Sequence, residues 1–307
     1  MGVLLLKATA YLFMITLGYM LKKIGFFQPD DYQLISKIVM NITLPAAVIT
    51  SFGSLELPTT LIFVVLLGTA CNLLLLGFGA FLSRRRSLST RALFMMTVPG
   101  YSIGTFTMPF IQSFLGPYGV VVTVLFDTGN AIMVTGGTFA ITSHVLKTGG
   151  GIKLLGILRI LRSSMPFMTY LGILALTLLH IRIPATVVAV ISPIGAANAF
   201  LAMLMIGLMF EVQLDYASLK KAGIILLFRF LFAGALSLLF YNIMPFPLII
   251  RQVLAIAVFS PISTLAPIFT ERCEGDGSLA SLVASLSIII SLVMMTILII
   301  VLRIGLS

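Results

Sequence analysis

Two short segments of the chain place helix-breaking and hydroxyl-bearing residues inside long apolar runs, at 98–109 and at 260–267. The residues in them that we expect to face a substrate are Ser102, Gly104, Thr107, Pro109, Ser263 and Thr264. Unwound backbone survives inside a bilayer only where protein or a water-filled cavity satisfies its polar groups, and half-helix N-termini attract anions. The pattern therefore predicts a binding site where the two segments meet, the alternative being simple proline kinks compensated by Ser and Thr.

A carboxylate lies deep in a third apolar run. Asp127 is ten residues past Pro117, which is roughly 15 Å along a helix, and an ionisable group at that depth is functional by default. We expect Asp127 either to bind a coupling ion, H⁺ or Na⁺, or to brace interrupted backbone. Asn130 follows at i+3 and can pair with Asp127 in either role. Asn72 is predicted to be an interhelical hydrogen-bond partner or a ligand.

One cation lies within an apolar run as well. Arg229 is eight residues past Lys221, or roughly 12 Å along a helix. It is a candidate counter-charge for an anionic substrate. The alternatives are that its long side chain extends to the membrane surface or pairs with an acidic group.

No enzymatic chemistry is indicated by the sequence. Motifs for nucleotide binding, metal-dependent hydrolysis or a serine nucleophile do not occur in a usable context. No nucleophile and base occur together at membrane depth. We therefore expect no enzyme, no cofactor and no metal, and we expect Cys71 and Cys273 to form no disulfide.

The composition excludes a soluble globular protein, because 60% of the 307 residues are hydrophobic and only 9% are charged. Ten crossings of about 20 residues each would use roughly 200 residues, leaving no room for a separate soluble domain. The net charge of +10 is concentrated in short connections, so we expect membrane lipid rather than nucleic acid as a partner.

Ten apolar runs are long enough to span a membrane and predict an all-helical protein. They lie at about 3–21, 35–53, 58–82, 92–113, 117–146, 164–181, 184–210, 222–242, 246–270 and 278–302.

The basic residues predict the topology. Placing alternate connections on opposite sides puts Lys22, Lys23, Arg84, Arg85, Arg86, Lys220, Lys221 and most other basic residues on one side. That side is expected to be the cytoplasm, with both termini outside it.

The most basic and glycine-rich connection, 147–163, follows the fifth run. It divides the chain into a first five-helix repeat, 1–146, and a second, 164–307. Since five is odd, the second repeat must be inverted, an arrangement found in transporters. The interrupted segments fall in the fourth and ninth helices.

The chain resembles the auxin efflux carrier family, whose bacterial members include malonate and malate permease-like proteins. The resemblance is carried by Leu17–Phe26, Leu34–Lys37, Asn41–Ala46, Phe126–Asn130, Ser260–Arg272, Gly275–Asp276, Leu279–Ser281 and Ser287–Ser291. In the family's fourth-helix motif, Ser102 stands where an asparagine is usual and Thr107 where a glycine is usual.

This resemblance implies a bile-acid-symporter-like fold with crossovers in helices four and nine, a scaffold capable of forming a homodimer, and elevator-type movement. It also implies a small organic anion as cargo, such as malonate, malate or an auxin-like acid. We thus expect a secondary transporter or facilitator of the inner or plasma membrane. The alternatives are an H⁺- or Na⁺-coupled carrier of a neutral or sterol-like solute, and a membrane sensor.

Overall fold

A computed structural model describes residues 2–53, 62–148, 154–179, 181–209 and 216–302, and its regular structure in these ranges is entirely helical. The α-helices are α1 (Gly2–Lys23), α2 (Tyr32–Ile38), α3 (Leu44–Phe52), α4 (Ile62–Ser83), α5 (Leu88–Thr97), α6 (Met108–Ile132), α7 (Thr138–Leu146), α8 (Leu154–Ser163), α9 (Met165–Leu178), α10 (Ala185–Met209), α11 (Tyr216–Asn242), α12 (Leu248–Ala257), α13 (Ala266–Arg272) and α14 (Gly277–Val301). Single π-helical turns at Val39–Thr43, Ile103–Thr107 and Met133–Gly137 lead into α3, α6 and α7.

Six helices in the described ranges are long and apolar enough to cross a membrane, or seven if the bent pair α8 and α9 counts as one span. The chain is therefore a multi-pass membrane protein. That the ten apolar runs form ten separate spans stays a prediction, because several runs correspond to helices that are interrupted or joined to a neighbour. The fourth and fifth runs, for example, share a continuous helical stretch at 103–146 that bends at Gly116, where φ is 62°.

Helical structure stops in both segments that the sequence marks as interrupted. The backbone is irregular at 98–102, between α5 and the π turn at Ile103–Thr107, and again at 258–265, between α12 and α13. Proline, which cannot donate to a helix, lies in each break, at Pro99 and Pro261.

The predicted connection at 147–163 contains a helix that the sequence analysis did not anticipate. α8 occupies 154–163 and bends by 87° into α9. Gly149, Gly150 and Gly151 of this connection lie outside the described residues, as do the first residue and 303–307, on which the predicted location of the termini depends.

The core is centred on α6, which is buried over the whole of Gly119–Asn130. α6 packs against α3, α4 and α12. Its contact with α4 is close enough to require glycine on both helices. A Cβ atom added at Gly68 would lie 2.0 Å from the carbonyl oxygen of Phe126, and one at Gly129 would lie 1.9 Å from that of Val65. Asp127 and Asn130 are thus held at the centre of the protein.

We expect Gly68→Ala to lower the thermal stability of the detergent-solubilised protein, because the added methyl group must push α4 away from α6. Overpacking of this kind costs about 1–3 kcal/mol. Gly77→Ala is the matched control in the same helix, since a Cβ there meets nothing within 4 Å. Equal melting temperatures for the two variants would contradict the close packing.

Candidate functional site

The two chain interruptions meet inside the protein. The backbone N–H of Ser102 donates to the carbonyl oxygen of Pro261 at 2.9 Å. The hydroxyl groups of Thr107 and Ser260, both buried, lie 2.6 Å apart and share a hydrogen bond. Segments that are more than 150 residues apart in the chain therefore form one site.

Two asparagines satisfy the backbone of the first interruption. The N–H of Gly100, where φ is +83°, donates to Asn72 Oδ1 at 2.8 Å. Asn130 pairs with Tyr101 through both of its amide atoms, accepting from the backbone N–H at 3.2 Å and donating to the carbonyl at 2.9 Å. Asn72 also donates to Asn130 Oδ1 at 3.1 Å. The side chain of Asn72 is therefore an interhelical partner, one of the two predicted alternatives.

The carboxylate of Asp127 binds Asn130, one member of this asparagine pair. Its Oδ1 accepts from Asn130 Nδ2 at 2.8 Å, which is the predicted i, i+3 pairing, and its Oδ2 accepts from the Tyr170 hydroxyl at 3.2 Å. The carboxylate is buried between α6 and α9. Its visible partners make it part of the brace, while a role in ion coupling stays a prediction.

Arg229 joins the two interruptions through backbone carbonyls. Its side chain is 1% exposed, so it does not extend to the membrane surface. Nη2 donates to the carbonyl oxygens of Gly100 at 2.9 Å and Ser260 at 3.0 Å. Nη1 donates to Val98 and, at 3.3–3.4 Å, to the carbonyls of Pro99 and Thr97. Tyr101 stacks beneath the guanidinium, with the ring centroid 5.3 Å from Cζ.

This arrangement places a positive charge where the helix dipole is negative. α5 ends at Thr97, and its last carbonyls lack intrahelical donors. A guanidinium offers five donors in a planar fork, so one side chain can satisfy carbonyls from both breaks. No acidic partner is needed to explain its burial, and the role as counter-charge for a substrate stays a prediction.

The second interruption is satisfied by α14. Ser287 accepts from the backbone N–H of Ile262 at 2.9 Å. Within the break, Ser263 accepts two local hydrogen bonds just before α13, its carbonyl from Ala266 N–H at 3.0 Å and its hydroxyl from Leu265 N–H at 3.3 Å.

The predicted substrate-facing residues differ in their accessibility. Ser102 is half-buried, and its hydroxyl lies 2.8 Å from that of Thr105, which is also half-buried. Thr264 is exposed. Gly104, Thr107, Pro109 and Ser263 are buried. A Cβ at Gly104 would lie 3.4 Å from the Tyr170 hydroxyl and 3.5 Å from Asp127 Oδ2, so the backbone at this glycine packs against the Asp127–Tyr170 pair.

A cavity of about 800 Å³ reaches the second interruption at Thr264. One wall is formed by α14, where Ser278, Ser281 and Ser285 are interspersed with apolar residues such as Leu282 and Ile288. Its rim includes Tyr32, Ser218 and Asp276. Tyr32 and Ser218 lie in the first turns of α2 and α11, and Asp276 directly precedes α14. The sequence predicts that these three helix starts are on the cytoplasmic side.

Sequence reasoning missed several residues of this site: Tyr101, Thr105, Tyr170, Ser260, Ser287 and the three serines of α14. Their only available signal was a polar group inside an apolar run. That signal does not distinguish a hydroxyl that bonds within its own helix from one that bonds another helix. Thr97, for example, is also a polar residue in an apolar run, but its hydroxyl donates to the carbonyl of Leu93 in the same helix.

Apolar helices with two interruptions that satisfy each other at a buried point define a class of multi-pass membrane protein built around an internal polar site. Comparison with known sequences makes the assignment more specific. Residues 6–148 match the family described as Membrane transport protein, the auxin efflux carrier family. The resemblance is thereby confirmed for the motifs that lie within residues 6–148, and a transporter role is supported.

The matched range holds the first interruption and Asp127 but ends before the second. A relative described as an uncharacterized transporter from Methanothermobacter thermautotrophicus is 29% identical over 129 residues, or 40% of this chain. That match spans 42% of the relative's own length.

We expect Arg229→Gln to lower the free energy of unfolding by at least about 3 kcal/mol, since several buried carbonyls lose their donor at about 1 kcal/mol or more each. Thermal unfolding in detergent measures this. Arg251→Gln is the control, because Arg251 is also within an apolar segment but donates to one carbonyl, that of Tyr241, from a half-buried position. Equal destabilisation by both variants would contradict the bridging role of Arg229.

Proposed function

We propose that this protein is a secondary transporter or facilitator of a small organic anion, such as malonate, malate or an auxin-like acid. The observation that carries the proposal is the hydrogen bond between Ser102 N–H and Pro261 carbonyl at 2.9 Å, which joins two helix interruptions at one point. Interrupted helices that cross near the middle of a membrane are a recurrent way of building a transport site.

The fold proposed for it has ten spans in two inverted five-helix repeats. Corresponding helices of the proposed halves supply corresponding braces, which supports this arrangement. The third helices α4 and α11 contribute Asn72 and Arg229, of which Arg229 donates to Ser260 of its own half as well as to carbonyls of the first half. The fifth helices α6 and α14 contribute Asn130 and Ser287. In each half these side chains satisfy backbone of an interrupted fourth helix. Elevator-type movement of the braced unit against the remaining helices is the mechanism proposed.

An anion is favoured by the start of the helical stretch at Ile103. The first amides of a helix have no intrahelical acceptor and carry partial positive charge. Ser102 and Thr105 offer half-buried hydroxyls beside these amides. Hydroxyl donors can thus serve a carboxylate where the family usually has an asparagine amide.

A neutral solute is the second candidate, and the cavity lining favours it. Among the described residues that line the cavity, Asp276 is the single charged side chain, and its carboxylate caps α14 at Leu279 N–H. Serine and threonine hydroxyls interspersed with apolar side chains, without a basic group, suit an uncharged, hydroxyl-bearing solute better than a dianion.

Uptake into proteoliposomes tests the placement of the site. We expect Ser102→Leu and Thr264→Leu to reduce the uptake of labelled malonate or malate at least tenfold, because leucine removes a hydroxyl and fills the space around it. Thr169→Leu serves as the control, since Thr169 is half-buried on α9, like Ser102, and its hydroxyl bonds within its own helix. An unchanged rate in both site variants would refute this placement. Uptake of a neutral polyol in place of the dicarboxylates would select the second candidate.

Asp127→Asn separates the coupling role from the brace. The asparagine can still accept from Asn130 and bond Tyr170, so we expect a stable protein that binds substrate. If Asp127 carries a coupling ion, the variant loses the dependence of uptake on a Na⁺ or pH gradient while substrate exchange continues. Gradient dependence equal to that of the unmodified protein would leave the brace as its role.

A further inference from the structure

We propose that the outward face of α8 is a binding surface for anionic phospholipids of the adjacent membrane leaflet. The inner face of this helix determines its orientation. Ile157 and Leu161 are buried and pack with Phe167, Ala131 and Ala140. The axes of α8 and α9 differ by 87°, so α8 runs nearly perpendicular to α9. With α9 directed across the membrane, α8 lies roughly parallel to the membrane surface.

The opposite face mixes leucine with arginine. At 100° per residue, Leu155, Leu158, Arg159 and Arg162 fall on one side of the helix, away from Ile157 and Leu161. The leucines are 79% and 52% exposed, and both arginines are exposed.

Neither water nor hydrocarbon alone suits this face. Two exposed leucines are unfavourable in water, and two arginines are unfavourable in the bilayer centre. At the membrane interface both are accommodated, because the leucines enter the acyl region while the guanidinium groups remain at the level of the headgroups.

The charge of the region selects anionic lipid. The sequence has no acidic residue between Asp127 and Glu211, so the chain around α8 does not neutralise Arg159 and Arg162. α8 packs on α9, on the π turn at Met133–Gly137 and on α6. The one acidic residue of these elements, Asp127, is buried and bonded to Asn130 and Tyr170. Lipid phosphates are acceptors that guanidinium groups bind strongly.

The sequence contains no tryptophan, which permits a direct test. Leu155→Trp introduces a single indole fluorophore at an exposed position of the full-length protein. The variant is reconstituted in bilayers of phosphatidylcholine and phosphatidylglycerol in which one lipid or the other carries brominated acyl chains, which quench the indole on contact. We expect the fraction of anionic lipid around the indole to be roughly fivefold higher than its bulk fraction at low salt. This ratio corresponds to the free energy with which about one basic residue is attracted to an anionic leaflet. High salt should reduce this enrichment.

Two controls sharpen the result. Adding Arg159→Gln and Arg162→Gln to the Leu155→Trp variant should return the quenching of its indole to the bulk lipid ratio. In a separate variant, Leu231→Trp places the fluorophore on α11, where Leu231 is 62% exposed. That indole should be quenched at the bulk ratio with or without the two arginine substitutions.

Two outcomes would overturn the proposal. If neither lipid quenches the indole of the Leu155→Trp variant, the outward face of α8 lies in water or against another protein copy. If both lipids quench it at the bulk ratio, the face has no selectivity for anionic lipid. Neither measurement depends on transport activity, so failure here is distinct from failure of the proposed function.

Discussion

The structure depends on satisfying the backbone polar groups that two helix breaks leave inside an apolar protein. The hydrocarbon of a membrane offers no water to these groups, so the donors and acceptors need partners from the protein or from a water-filled cavity. Part of this requirement is met between the two breaks themselves, because the N–H of Ser102 donates to the carbonyl of Pro261. The remainder comes from side chains on other helices, foremost Arg229, which donates to carbonyls of both breaks. The helices carrying these side chains are therefore held in fixed positions around the site.

The first break is satisfied by two sets of side chains. The carbonyl of Gly100 accepts from the guanidinium of Arg229, while the amides of Gly100 and Tyr101 donate to Asn72 and Asn130. Asn130 also donates to the carbonyl of Tyr101 and to the carboxylate of Asp127. Buried groups hydrogen-bond the backbone, and the hydroxyls of Ser102, Thr105 and Thr264 in and beside the breaks stay partly accessible. This division leaves the accessible hydroxyls available for a solute without disturbing the brace.

How far the site could be predicted depends on what kind of partner each residue has. The breaks and the Asp127–Asn130 pair are local, so prolines, glycines and the i+3 spacing indicated them. The partners of Arg229 could not be predicted, because they are backbone carbonyls, which every residue type carries. They lie 129 residues away at Gly100 and 31 residues away at Ser260. Helix α8 was assigned to a connection because glycines and basic residues precede it and its apolar pattern covers only ten residues.

Composition and local pattern thus determined that the chain is an all-helical membrane protein, where its helices are interrupted, and which polar groups lie deep inside. These properties follow from apolar length and from residues that cannot continue a helix. Only the tertiary structure decided that the two interruptions meet, that Arg229 bridges them, and that the hydroxyls of α14 line a cavity beside Thr264. The physical reason is that backbone hydrogen bonds between distant segments depend on how the helices pack, and their partners carry no mark in the sequence.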